Sequence, residues 1–109
     1  MVEFTASGSP QIVSRAIEEY ATSQGHVSAI VVPWESGPDT LSMAVTAMKG
    51  DGWAIEHTNL GTITVTDLGN GATRVAVAVQ DPDHSDKQKL LALFDRFARQ
   101  IQERLQVAP

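Results

Sequence analysis

The sequence predicts an α+β fold in which a curved antiparallel β-sheet packs on a long C-terminal helix, with the element order β-α-β-β-β-β-α. Residues 40–81 read as three consecutive strands, separated by glycine-rich turns, whose apolar side chains fall on odd numbers. A broad apolar stripe at helical spacing follows from Leu90 to Leu105. Because a sheet with one apolar face must bury that face, the long helix is its expected partner.

The elements before the central strands are shorter. Alternating side chains at residues 2–6 predict the first strand. Residues 9–10, Ser-Pro, suit the N-cap and first position of a helix, and Gly25 suits its left-handed C-cap. A β-branched run over residues 27–32 predicts the second strand. Residues 33–39 contain two prolines and predict a loop.

The three central strands are predicted at residues 40–49, 53–66 and 72–80. The glycine-containing segments 50–52 and 67–71 separate them as turns. In each strand the odd-numbered positions carry most of the apolar residues, so these positions should form one inner face toward the helix.

Strand register follows from the lengths assumed for the two turns. Three-residue loops would pair Val45 with His57 and Ile63 with Val75, which sets odd numbers beside odd numbers throughout. The fourth strand spans about fourteen residues, whereas about five or six are usual. Gly61, near its middle, is therefore predicted to mark a bend or a bulge.

Composition excludes several classes of function. The 109 residues predict a single domain over 1–109, and the net charge of −5 opposes binding to nucleic acid. No apolar run is long enough to span a membrane, and the N-terminus lacks a signal-peptide pattern, so a cytoplasmic location is expected. The chain has no cysteine, and its three histidines lack metal-ligand spacing, so no metal and no cofactor are predicted.

The element order, together with residues 69–75 (Gly-Asn-Gly-Ala-Thr-Arg-Val) before the closing helix, resembles the helix-grip superfamily of START lipid-transfer domains and aromatic polyketide cyclases. Measured against that superfamily, the chain resembles a shortened version that would lack two strands or a second small helix. The resemblance implies an apolar ligand between the sheet and the C-terminal helix. It carries over no catalytic residue, because no catalytic motif of these proteins matches.

Two polar residues, His57 and Asn59, fall on the expected inner face of the fourth strand. They are candidates for orienting a ligand, or for proton abstraction by His57 with Asp81 as the carboxylate that orients its imidazole. The alternative is that both are solvated beyond the end of the helix, or are core polar groups with satisfied hydrogen bonds.

Aromatic and apolar side chains complete the predicted ligand site. Trp34 and Trp53 flank loops and would form a lip over a cavity, with Tyr20 inside it. Met43, Phe94 and Phe97 would line the cavity from the sheet and the helix. All of these side chains are equally suited to filling a dry core.

Three functions follow. The first is non-enzymatic binding of a small apolar ligand, lipid, sterol or polyketide-like, between the sheet and the C-terminal helix. The second is a small structural or interaction protein with a dry core, which forms homodimers through its basic C-terminal helix and the threonine row Thr62, Thr64 and Thr66 on the outer face of the sheet. The third is a cyclase- or hydrolase-type enzyme using His57, so the question of enzymatic activity stays open.

Overall fold

A computed structural model of the chain describes residues 2–49, 56–80 and 85–107. It confirms the α+β class and the predicted element order. The elements are β1 (Val2–Ser7), α1 (Pro10–Gln24), β2 (Val27–Val31), β3 (Thr40–Lys49), β4 (Glu56–Gly69), β5 (Ala72–Val79) and α2 (Lys87–Leu105). A 3-10 turn at Pro33–Glu35 lies in the loop between β2 and β3.

The five strands form one curved antiparallel sheet in the order β1-β5-β4-β3-β2. Both helices pack on one side of it, α1 against β2, β3 and β4, and α2 against β1, β4 and β5. We call this side the inner face and the opposite side the outer face. A single apolar cluster joins the inner face to both helices, so the domain consists of two layers.

The ends of α1 follow the capping residues in the sequence. Ser9 is the N-cap, and its hydroxyl accepts a hydrogen bond from the Ile12 backbone N–H at 3.3 Å. Pro10 occupies the first helical position, where its missing N–H breaks no hydrogen bond. Gly25 ends the helix with a φ of +78°, as predicted. The buried stripe of α1 includes Val13 and Ile17, which attach the helix to the sheet.

The register between β4 and β5 differs from the predicted one by two residues. Val65 pairs with Val75 and Ile63 with Val77, so odd numbers still face odd numbers. The hairpin closes through a two-residue turn, Asn70–Gly71, in which both residues have positive φ. Asn-Gly strongly favours this tight turn because both positions need left-handed backbone, and a β-bulge between Asp67 and Gly69 takes up the remaining residue.

The register between β3 and β4 contains the bulge predicted at Gly61. Val45 pairs with Gly61, whereas the next residue of β3, Thr46, pairs with Asn59. Leu60 is therefore the extra residue, and both Leu60 and Gly61 are buried on the inner side. In the part of β4 that precedes the bulge, odd-numbered residues therefore lie on the outer face and even-numbered residues on the inner face. The predicted pairing of Val45 with His57 is wrong, and His57 lies opposite Met48.

Candidate functional site

The centre of the space predicted to hold a ligand between the sheet and α2 is occupied by side chains, and a pocket of about 260 Å³ lies at its edge, lined by Ala47 and Met48 of β3 with Leu90 and Leu93 of α2 among others. Met43, Phe94 and Phe97 are each at most 2% exposed and belong to the packed core cluster. Phe94 packs so closely on β4 that a Cβ added to Gly61 would lie 2.7 Å from its Cε2 atom. These three predicted site residues therefore fill the core, which is the alternative that their apolar character also allowed.

His57 and Asn59 do not lie on the inner face, so that placement was wrong. Both are exposed, and they pair with Met48 and Thr46 on the outer side of the sheet. The Asn59 amide nitrogen donates to Oε1 of Gln80 at 2.8 Å, and its Oδ1 accepts from the Gly61 backbone N–H at 3.2 Å. These two hydrogen bonds of Asn59 stabilise the bulge. A role in ligand binding stays a prediction for both residues.

The predicted aromatic lip is only partly described. Trp34 lies in the 3-10 turn after β2, and 83% of its surface is exposed. Trp53 and Asp81, the latter being the predicted partner of His57, lie outside the described residues. Tyr20 is partly buried between the two helices, where its ring stacks on Phe97 with 5.7 Å between centroids. Tyr20 therefore borders a cavity between the helices.

That cavity, the inter-helix groove, opens between α1 and α2 and has a volume of about 420 Å³. Its walls are Ala16, Glu19, Tyr20 and Ser23 of α1, with Ile101, Arg104 and Leu105 of α2. On each helix these residues are three or four positions apart, and residues at that spacing lie on the same face of a helix. The small side chain of Ala16 leaves room between the helices, and buried Ile101 forms an apolar floor.

Polar groups at the groove are arranged around Tyr20. Its hydroxyl donates a hydrogen bond to Oε1 of Gln100 at 2.7 Å. The guanidinium carbon of Arg104 lies 4.4 Å from the centre of the Tyr20 ring, within the range of a cation–π interaction. Arg104 forms no ion pair with a carboxylate in the part of the chain that the structure describes. The groove therefore offers an apolar wall beside one cation whose hydrogen-bonding groups are available.

A smaller pocket of about 100 Å³ continues the space between the helices beyond Tyr20. Gln24, Leu93, Phe97 and Gln100 are among its walls. Because Tyr20 borders one cavity and Gln100 the other, the hydrogen bond between them separates the two.

The lining residues Ala16, Glu19, Ile101 and Arg104 were not anticipated as site residues. Ala16 and Ile101 belong to the apolar stripes of their helices, and Glu19 and Arg104 lie beside those stripes. This pattern was the available signal. It shows which residues border a helix's buried face, although it does not show how far apart two helices lie.

Comparison of the chain with protein-family models, with curated proteins and with solved structures finds no match. Within the described residues, no helix has the length and apolar character needed to cross a membrane. In the same residues, no group of three or more histidine and carboxylate side chains is placed to hold a metal ion.

Proposed function

We propose that the protein binds a small amphipathic molecule in the inter-helix groove, with an apolar body against Tyr20 and Ile101 and a single anionic group at Arg104. The observation that supports this proposal is the groove itself. Its volume of about 420 Å³ falls within the roughly 300–1,000 Å³ that is typical of small-molecule sites. Its lining combines the apolar side chains of Ala16, Ile101 and Leu105 with a small number of polar groups, a combination that is also typical of such sites.

The choice of an anionic group follows from how Arg104 is placed. A guanidinium that stacks on an aromatic ring keeps its N–H groups in its own plane, where they can donate to both oxygens of a carboxylate. Glu19 on the opposite wall limits the charge that the groove accepts, because a second negative group would be repelled there. A monocarboxylate with an acyl or polyketide-like body therefore fits better than a doubly charged phosphate ester.

Titration of the ¹⁵N-labelled protein with dodecanoate, followed by NMR, tests the proposal. We expect the backbone amides of Ala16, Tyr20 and Arg104 to shift together and to saturate. Arg104→Gln should weaken binding by about tenfold, because a charge-assisted hydrogen bond contributes about 1.5–3 kcal/mol. Arg99→Gln is the matched control, since Arg99 is an exposed arginine of the same helix that pairs with Asp95 at 2.9 Å.

A second pair of variants tests the space rather than the charge. In Ala16→Phe the added ring should occupy the groove and abolish saturable binding. Ala92→Phe is the control, because it places the same ring at an exposed position of α2 and should leave binding unchanged. Shifts centred on Met43 and Ile63 would instead place dodecanoate between the sheet and α2, and would contradict the groove. Equal weakening by Arg104→Gln and Arg99→Gln would mean that binding follows overall charge alone.

A further inference from the structure

We infer, on the basis of the proposed function, that the ligand of the inter-helix groove carries a long acyl chain, which leaves the groove past Ala16 and lies along α1 against Ile12. A second cavity of about 300 Å³, which we call the α1 trough, supports this direction. Its walls are Gln11, Ile12, Arg15, Ala16 and Glu19. Because Ala16 and Glu19 also line the inter-helix groove, the trough continues the groove toward the start of α1.

The two helices are antiparallel along the groove. Gln24 of α1 and Leu93 of α2 line the smaller pocket, whereas Ala16 and Leu105 line the groove. The hydrogen bond donated by the Tyr20 hydroxyl crosses the space between the helices and separates the smaller pocket from the groove. An acyl chain is therefore blocked at the Tyr20 end of the groove.

The opposite end of the groove is open because α2 stops there. After Leu105 the backbone joins the edge of β1, where the Val107 N–H donates to the Thr5 carbonyl at 3.0 Å. α1 extends past Ala16 toward its first residue, Pro10, with no α2 beside it. A chain too long for the groove would therefore leave at the Ala16 end and lie on α1.

A line of apolar side chains on α1 follows this path. Ile12, Ala16 and Tyr20 are four positions apart, so they lie on one face, beside the stripe that packs on the sheet. Ile12 is 64% exposed, more than any other large aliphatic side chain of the described residues. An acyl chain in the trough would cover it. Arg15 and Glu19 border the trough with opposite charges, so an uncharged chain end fits there.

The dependence of affinity on chain length tests the inference. Ile12 lies eight residues before Tyr20, which corresponds to about 12 Å along the helix axis. We expect octanoate to end within the groove and tetradecanoate to reach Ile12. In NMR titrations of the ¹⁵N-labelled protein, with each acid below its micellar concentration, tetradecanoate should bind at least about tenfold more tightly, because each fully buried CH₂ contributes about fourfold.

A variant and a labelled ligand locate the added contact. Ile12→Ser should weaken tetradecanoate binding by about threefold or more and leave octanoate binding unchanged. Ile30→Ser is the matched control, since Ile30 is 54% exposed on the outer face, and it should change neither affinity. With wild-type protein, tetradecanoate that carries a nitroxide at its far end should broaden the amide signals of Gln11 and Ile12 more than those of Ser23 and Gln24.

The possible results distinguish the extension along α1 from the groove itself. A gain in affinity with chain length that Ile12→Ser removes, together with broadening at Ile12, would support the extension. Equal affinity for the two acids, a gain that persists in Ile12→Ser, or broadening centred on Ser23 and Gln24 would overturn it, while binding through Arg104 would still support the groove. If neither acid shifted the amides of the groove, the proposed function and the extension would both be overturned.

Discussion

Gly61 is the position at which the fold should tolerate the least change. It follows the extra residue of the β4 bulge and has a φ of +156°, a backbone conformation that L side chains rarely adopt. A Cβ built on Gly61 would collide with the carbonyl oxygen of Ala78 and lie 2.7 Å from Cε2 of Phe94. Gly61→Ala therefore adds one methyl group where the backbone of β5 and a ring of α2 both already touch the strand.

The expected loss of stability combines two costs. Overpacking a close-packed core costs about 1–3 kcal/mol, and holding a residue with a Cβ in an unfavourable backbone conformation costs about 1–3 kcal/mol more. The carbonyl of Ala78 belongs to the sheet and cannot rotate away as a flexible side chain would. We therefore expect Gly61→Ala to lower the free energy of unfolding by about 3 kcal/mol or more, a large part of the about 5–15 kcal/mol typical of a domain.

Two other glycines separate the two costs. Gly25 has a φ of +78° with nothing within 4 Å of an added Cβ, so Gly25→Ala should cost only backbone strain, about 1–2 kcal/mol. Gly37 has open space and no positive φ, so Gly37→Ala should change stability by less than about 1 kcal/mol. Urea denaturation followed by circular dichroism gives all three values on one scale.

The order of the three variants is the critical result. If Gly61→Ala lost no more stability than Gly25→Ala, crowding by Phe94 and Ala78 would contribute nothing. Such a result would contradict the direct packing of α2 on the bulge. If Gly61→Ala had the same free energy of unfolding as the wild type, the bulge itself would be contradicted, because a regular strand accepts alanine at that position.

Two further predictions concern hydrogen bonds between side chains and the rest of the fold. Thr73 is 0% exposed and its hydroxyl donates to the Gly8 carbonyl at 2.7 Å, so Thr73→Val should cost about 1–3 kcal/mol in urea denaturation. Thr64→Val on the outer face is its control and should cost less than about 0.5 kcal/mol. In a double-mutant cycle of Tyr20→Phe with Gln100→Leu, the coupling energy should be about 0.5–1.5 kcal/mol, and strictly additive losses would contradict the hydrogen bond.

The element order could be predicted because it depends on local signals. The helical stripe from Leu90 to Leu105 and the caps of α1 at Ser9 and Gly25 each act within a few residues, and the structure follows them. The two-residue turn at Asn70–Gly71 was also a local signal, although a three-residue loop was assumed there. Its preference for positive φ at both positions was sufficient to choose the correct register.

The inter-helix groove could not be predicted in the same way. Its walls belong to helices that are far apart in sequence, and their spacing is set by side chains of the core such as Ile17 and Phe97. Periodicity identified the buried faces of α1 and α2 but carried no information on the gap left beside Ala16. Tyr20 was selected for its aromatic character, and only the fold reveals that Arg104 lies over its ring.

The misplacement of His57 and Asn59 has a single physical cause. Alternation assigns a strand residue to one face only as long as no extra residue intervenes, and one extra residue exchanges the faces for everything on its far side. The bulge at Gly61 was itself predicted, from the length of the strand and the glycine near its middle. If the extra residue of that bulge had been counted in assigning the faces of β4, both polar residues would have been placed on the outer face. Leu60 would have been placed on the inner face, where it is 1% exposed. In a long strand, therefore, a predicted bulge should be applied to the facing of every residue before it, and only then should inner-face residues be selected as a site.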